Sequence, residues 1–317
     1  MPETPHSLFV DLNEGKTRFR YPSRPIFLCG GVIRTDEGAT CPSLRDYLYR
    51  VRKIEGKLPS KIVLAELANQ LFVETDYKSL IRFEEDIALL SGLVVLVAEG
   101  PGSLAELGSF EANRTIRRTL RVLIQDIYES DQSFIRNGPV RQLEEDNDTS
   151  VAYYPWRTNS AGSLIKSSIK DEVTSICNYI NDEYSRVPLS QRLSGAHAKK
   201  RFLFCLYWIT HLCGGALRST IYEIFRSIFP SAKDSDIRNG LFCLQLLGWI
   251  GRVHYGPREY IFALHDDDPF VYRFKASVTN TNATARKNDA FLWVESQYPV
   301  EKGAKKRILR ERRKLLA

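Results

Sequence analysis

The chain has 317 residues, 43% of them hydrophobic and 26% charged, with a net charge of +7; that length predicts two cored domains rather than one. No apolar run approaches the roughly 20 residues that cross a bilayer, which argues against a membrane protein. The start, MPETPHSLFVDLNEGK, lacks a basic stretch leading into an apolar one and a small-residue cleavage site, so a cytoplasmic location is expected.

Residues 1–23 read as an N-terminal extension. RPIFLCGG at 24–31 is a short apolar run that stops at paired glycines, the pattern of a buried strand entering a tight turn. SLRDYLYRVRKI follows with Leu44, Leu48 and Val51 at helical spacing, KIVLA at 61–65 is strand-like, and SLIRFEEDIALLSG precedes the strand-like LVVLVAEG at 93–100. SLAELGSFEANRTIRR then reads as one helix and LRVLIQD at 120–126 as a strand. The alternation predicts an α/β fold with a doubly wound parallel sheet over 24–156, whose ligands sit outside the carboxyl ends of the strands. YYPWRTNSAGS reads as a polar turn, and the stretch 157–198 as a helical linker.

Over 199–275 three apolar-faced helices (KKRFLFCLYWITHLCG, LRSTIYEIFRSIFP, DSDIRNGLFCLQLLGWI) precede two short strands around YGPRE, the order of a winged-helix domain. Lys233, Arg238, Arg252, His254 and Arg258 are the residues such a module presents to phosphates. TNTNATARKNDA reads as loosely ordered, and 276–317 as a basic C-terminal tail. Within it, 301–317 holds eight Lys/Arg against two Glu, which reads either as a solvated terminus or as an electrostatic handle for a polyanion, with Lys305, Lys306 and Arg307 as its nucleic-acid contacts. The six cysteines are scattered without CxxC spacing, so reduced, packed thiols are expected and no metal site.

GPGSLAELGSF at 100–110 has two compatible readings. Ser103 as helix cap and Glu106 three residues later complete a capping box. Alternatively, Glu106 stands in the first helical turn at the ligand edge of the sheet, where a carboxylate can attack or stabilise a ribosyl carbon as its bond to a base breaks. A second acid group is needed to handle the leaving group, and FEEDIALLSG offers Glu84, Glu85 and Asp86; helical spacing puts Glu84 and Asp86 on different faces, so at most one of these two points inward.

FLCGG at 27–31, DIALLSGLVVLV at 86–97 and PGSLAELGSF at 101–110 resemble the nucleoside 2-deoxyribosyltransferase pattern, and GPGSLAELGSFEANRTIRRTLRVLIQD with SFIRNGPVR at 133–141 is similar to the narrower group of retron-associated effectors. The resemblance covers roughly 25–145. It implies a toxin that cleaves an N-glycosidic bond, with Glu106 as nucleophile and no cofactor, NAD being the substrate cut at its nicotinamide bond. Cys29, Gly30, Gly31, Arg45, Gly102, Ser103 and Asn113, with Arg114, are then the substrate contacts. The partners implied are a retron reverse transcriptase with its multicopy single-stranded DNA–RNA, in a homo- or hetero-oligomer. Gly100-Pro101 stands where deoxyribosyltransferases carry a base-orienting Asp, a departure that favours hydrolysis over transfer between nucleosides. A nucleotide-sensing winged-helix DNA-binding protein without turnover, or a true deoxyribosyltransferase, are the alternatives.

Overall fold

The computed structural model describes residues 2–34, 41–55, 57–58, 61–67 and 71–316. The chain divides into two compact units, one of residues 24–69 and 79–187, the other of 1–23, 70–78 and 188–317. Helix α1 (Pro5–Val10) and strand β1 (Arg18–Arg20) come first. Thr4 caps α1 by accepting the Ser7 amide, and Pro5 fills the first helical position, where no amide donor is required.

The sheet unit contains β2 (Ile26–Cys29), α2 (Leu44–Glu55) and β3 (Ile62–Val63). After α3 (Leu71–Glu74), which belongs to the other unit, come α4 (Leu80–Leu90), β4 (Leu93–Val97), α5 (Pro101–Ala112), α6 (Arg114–Arg117), β5 (Leu120–Gln125), α7 (Arg141–Asp146), β6 (Val151–Tyr154) and α8 (Val173–Arg186). The five strands are parallel in the order β3-β2-β4-β5-β6. Every residue of β2 and β4 is buried, as a parallel sheet covered on both faces requires, and this is why those strands are unbroken apolar runs. Leu44 and Leu48 of α2 and Ile176 and Ile180 of α8 share one core with Ile26, Leu28 and Val95. Phe27 meets Phe110 of α5, with ring centroids 6.2 Å apart, and α4 packs beside α5. Each such side chain contributes about 1.5–3 kcal/mol.

Because β2 leads outward to β3 and the chain then returns to β4 on its other side, the strand order reverses between β2 and β4. That is where a crevice opens at the carboxyl edge of such a sheet. Two readings of the sequence change here. The helix expected over 103–118 is two helices, broken at Asn113, whose backbone is extended and whose side chain accepts from the Thr115 and Ile116 amides. The expected linker 157–198 contains α8, whose Ile176, Cys177 and Ile180 are core residues of the sheet unit, and the first two residues of the expected polar turn, Tyr153 and Tyr154, belong to β6.

In the other unit follow β7 (Ser190–Arg192), α9 (Ala198–Leu212), β8 (Ala216–Leu217), α10 (Arg218–Ile228), α11 (Asp234–Leu246), β9 (Ile250–Tyr255), β10 (Arg258–Ala263), β11 (Phe270–Val271), α12 (Ala283–Gln297) and α13 (Lys302–Leu316). β9 and β10 form a hairpin that turns at Gly256, whose φ of 60° suits glycine, and β8 extends it to three strands. The N-terminal extension is a folded part of this unit: β1 is the central strand of the sheet β11-β1-β7, and Phe19 stacks on Phe204 with centroids 3.8 Å apart. Nor is the C-terminal stretch loose. α12 anchors buried Arg286 against Glu3 and Asp11, and α13 buries Ala304 and Ile308 among Val253, Tyr260, Phe262 and Leu264. Among the described residues no helix is long and apolar enough to cross a membrane.

Candidate active site

The end of β2 and the end of β4 meet at two glycines. Gly30 has φ 136°, and a Cβ there would lie 2.7 Å from the Val97 carbonyl oxygen; Gly31 would clash with Ser43 at 2.8 Å. Only glycines let the strand turn this close to its neighbour. The Gly30 backbone is among the groups that draw the pKa of Glu106 down.

Glu106 is the sixth residue of α5, which starts at Pro101, so it stands in the second turn rather than the first. Ser103 is the third helical residue, not the cap: its hydroxyl accepts from the Glu99 and Gly100 amides and donates to the Gly100 carbonyl. Glu106 is therefore free of capping duty. Its Oε2 is buried with no hydrogen-bond partner among the described residues. Burial, then the charge of Glu84, push its pKa up to about 7, with Arg45 pulling the other way. Glu84, on α4, is likewise pushed to about 7 by burial and by Glu66. Asp86 is buried as well, but stands two residues and about 200° further round α4, and the charges acting on Glu106 are those of Glu84, Arg45 and Glu66. Cys29, at the end of β2, is buried and its thiol pKa is held well above the usual value by burial and by Glu106, so it is a neutral wall of the site and not a thiolate.

Arg45 is buried beneath the turn. Its Nε donates to the Leu28 carbonyl at 3.0 Å and Nη1 to that of Gly31 at 3.1 Å, while Nη1 and Nη2 hold Glu66 at 2.6 and 2.7 Å. A guanidinium so engaged orients the glycine turn and has few directions left for a ligand. Asn113, expected beside the substrate, caps α6 through its Oδ1 and lies seven residues, about 10 Å along the helix, from Glu106; it is not brought to the cluster, and Arg114 beyond it is exposed. Gly102 is exposed with open space where a Cβ would stand.

Two carboxylates escaped the sequence reading. Glu99 accepts from the amides of Leu44 at 2.7 Å, Arg45 at 3.0 Å and Gly31 at 3.2 Å, tying the first turn of α2 to the end of β4; burial nonetheless raises its pKa. Glu66 is the partner of Arg45. Both follow a strand within three residues, the one signal available for them. A cavity of 350 Å³ lies at the same sheet edge, lined by Glu99, Gly100, Pro101, Leu104, Tyr128 and Arg136 among others; Glu106 is not in its wall.

The basic residues of the other unit differ in what they face. Arg238 pairs with Asp76 at 3.5 Å, Arg252 with Glu74, Arg258 with Glu301 at 2.6 Å and Lys305 with Glu295 at 2.5 Å. Lys233, His254, Lys306 and Arg307 are exposed, the last two on α13, which also pairs Arg312 with Asp266.

A parallel α/β sheet with a carboxylate cluster at its switch point, joined in one chain to a helix-rich basic unit, is the class of protein these features define. The chain belongs to the STM3845 retron effector protein family, whose model matches residues 41–252, and that membership implies association with a retron system. It is similar to two Escherichia coli proteins. One, named "Retron Ec86 putative ribosyltransferase/DNA-binding protein", is 34% identical over 127 residues, 40% of this chain and 39% of that protein. Its retron Ec73 counterpart of the same description is 23% identical over 230 residues, 70% of this chain and 72% of the relative. The first match thus spans well under half of the Ec86 protein's length.

Proposed function

We propose that the chain is the toxin effector of a retron antiviral system and hydrolyses an N-glycosidic bond, with NAD cut between nicotinamide and ribose. The observation that carries this is Glu106: a carboxylate with one oxygen buried and unpartnered among the described residues, at the switch point of a parallel sheet, beside a second carboxyl of raised pKa. The word ribosyltransferase in the names of both relatives supports it, as does the resemblance of FLCGG at 27–31 and PGSLAELGSF at 101–110 to the nucleoside deoxyribosyltransferase pattern.

Nicotinamide in NAD is a pyridinium, so the electron pair of the breaking C1′–N bond neutralises the leaving group and no proton need be supplied. Ionised Glu106 attacks C1′ through an oxygen as positive charge grows on the ribose. Water then attacks the same carbon, its proton passing to the Glu84 carboxylate, and the Glu106–C1′ bond breaks to leave ADP-ribose. Gly30 steadies the carboxylate, Gly31, Gly102 and Ser103 shape the turn beside it, and the cavity at Glu99 and Tyr128 holds the rest of the nucleotide. The cofactor is thus consumed as substrate.

The helical unit is a winged-helix module: α9, α10 and α11 stand before a three-stranded sheet whose β9–β10 hairpin is the wing. In this reading it docks the reverse transcriptase with its multicopy single-stranded DNA–RNA, Lys306 and Arg307 supplying charge, within a homo- or hetero-oligomer that keeps the toxin silent. Purified protein incubated with NAD tests the enzymatic part. Free nicotinamide should accumulate with the wild-type chain and stay at background with Glu106→Gln, which should also be harmless in cells; equal release by the variant would remove Glu106 from the mechanism.

A further inference from the structure

Segment 71–78 separates α3 and the residues after it from the sheet unit and seats them on the helical one. Its contacts there are specific. Glu74 pairs with Arg252 of β9, Asp76 with Arg238 of α11, the Asp76 amide donates to Asn239 Oδ1 at 2.8 Å, and the buried Tyr77 hydroxyl meets Cys243 Sγ at 3.2 Å. Arg218, Arg238 and Arg252 surround the seat together with Glu74 and Glu259, and the space remaining between them is only 40 Å³. Three arginines thus face three carboxylates, Glu74, Asp76 and Glu259, of which two belong to the segment. Glu259 also bridges Arg218 at 3.0 Å and Arg252 at 3.8 Å, and Asp234 of α11 is held by Arg226. With the segment lifted, three cations would face one anion on the surface formed by α11 and the hairpin.

We propose that segment 71–78 is an internal stand-in for a nucleic-acid phosphate backbone: Glu74 and Asp76 occupy the arginine face of α11 and β9, and a duplex docks there by displacing them. Carboxylates at Arg238 and Arg252 satisfy the same donors that phosphate oxygens would. Glu74, Asp76 and Tyr77 hold the segment through polar contacts, and Val73 is 84% exposed. In the chain the segment lies between Glu66 and Glu84, so its displacement has a covalent route to these two carboxylates of the sheet unit.

This inference rests on the reading of the helical unit as a nucleic-acid-binding module, and the test separates the two. Binding of a fluorescent 20-base-pair DNA duplex by the full chain is followed against salt. Glu74→Gln with Asp76→Asn should bind about tenfold more tightly at low salt, with the log–log salt slope steeper by about 1 to 2, near one phosphate per freed arginine. Adding Arg238→Ala and Arg252→Ala should cancel that gain. In the wild-type chain, saturating duplex should speed hydrogen exchange at the Asp76 amide. Unchanged affinity and slope in the double variant, or undiminished protection of Asp76 in the duplex-bound wild type, would overturn the segment's role and leave the module's reading standing. Failure of every form to bind duplex would overturn both.

Discussion

Arg45 grips Glu66 with both arms of its guanidinium, at 2.6 and 2.7 Å, while the same group holds the Leu28 and Gly31 carbonyls. The pair fixes the glycine turn whose backbone at Gly30 favours ionised Glu106. Arg45→Lys keeps the charge but loses the planar fork. Steady-state nicotinamide release should show kcat lowered about 10- to 100-fold with KM little changed, since misplacement of the reacting group costs rate. A raised KM with kcat preserved would mean that Arg45 touches substrate instead.

As the proposed nucleophile Glu106 must be ionised, and burial together with Glu84 pushes its pKa up to about 7. Activity should therefore rise with pH through a midpoint close to 7. Glu84→Gln removes a like charge, so the midpoint should move to lower pH while the maximal rate falls, about 100-fold if Glu84 takes the proton from water. An unmoved midpoint in the pH–rate profile would separate the two carboxyls.

Stability should follow the same titration with a definite sign. A carboxyl whose folded pKa lies above its unfolded value favours the folded state at pH below about 4, and that contribution is lost as pH rises through about 7. Glu106→Gln, which cannot ionise, should thus be more stable than wild type at pH 8, on the order of 1–2 kcal/mol. The gain should shrink toward pH 5; urea unfolding at the two pH values reads it. Destabilisation at pH 8 would contradict a strained carboxylate.

Arg121 of β5 and Glu183 of α8 are both buried and meet at 2.5 Å. Glu183→Gln leaves a guanidinium without its counter-charge inside the sheet unit. Unfolding should cost about 3–5 kcal/mol less than in wild type, whereas Arg186→Ala, which removes the more exposed partner of Glu183, should cost under about 1 kcal/mol.

What the sequence disclosed follows from how local each signal is. β2, β4 and β5 were legible because strands buried on both faces must be continuously apolar, and Glu106 because glycines and a helix start mark the edge of such a strand. The start of α5 was set two residues late: Pro101 is well placed as first helical residue, so Ser103 reaches back instead of capping. Beyond standing within three residues of a strand end, Glu66 and Glu99 carry no local pattern, since their partners are Arg45 and the amides of Gly31, Leu44 and Arg45. β1 was invisible for a similar reason, its neighbours being Ser190–Arg192 and Phe270–Val271. In α13 the spacing of Ala304 and Ile308 does betray a buried face, but eight cations around it read as a solvated tail. Segment 71–78 shows only as a stretch between a strand and a helix; that Glu74 and Asp76 meet Arg252 and Arg238 is set by contacts more than 150 residues away in the chain.

The proposed covalent mechanism requires an oxygen of Glu106 to bond to a ribose carbon during turnover. Wild-type chain mixed with NAD, quenched in acid within the first turnovers and digested, should yield the α5 peptide enlarged by one ADP-ribosyl group at Glu106, as measured by mass spectrometry, with no such species from Glu106→Gln. Nicotinamide released at full rate with the label absent, or carried by a different residue, would contradict it.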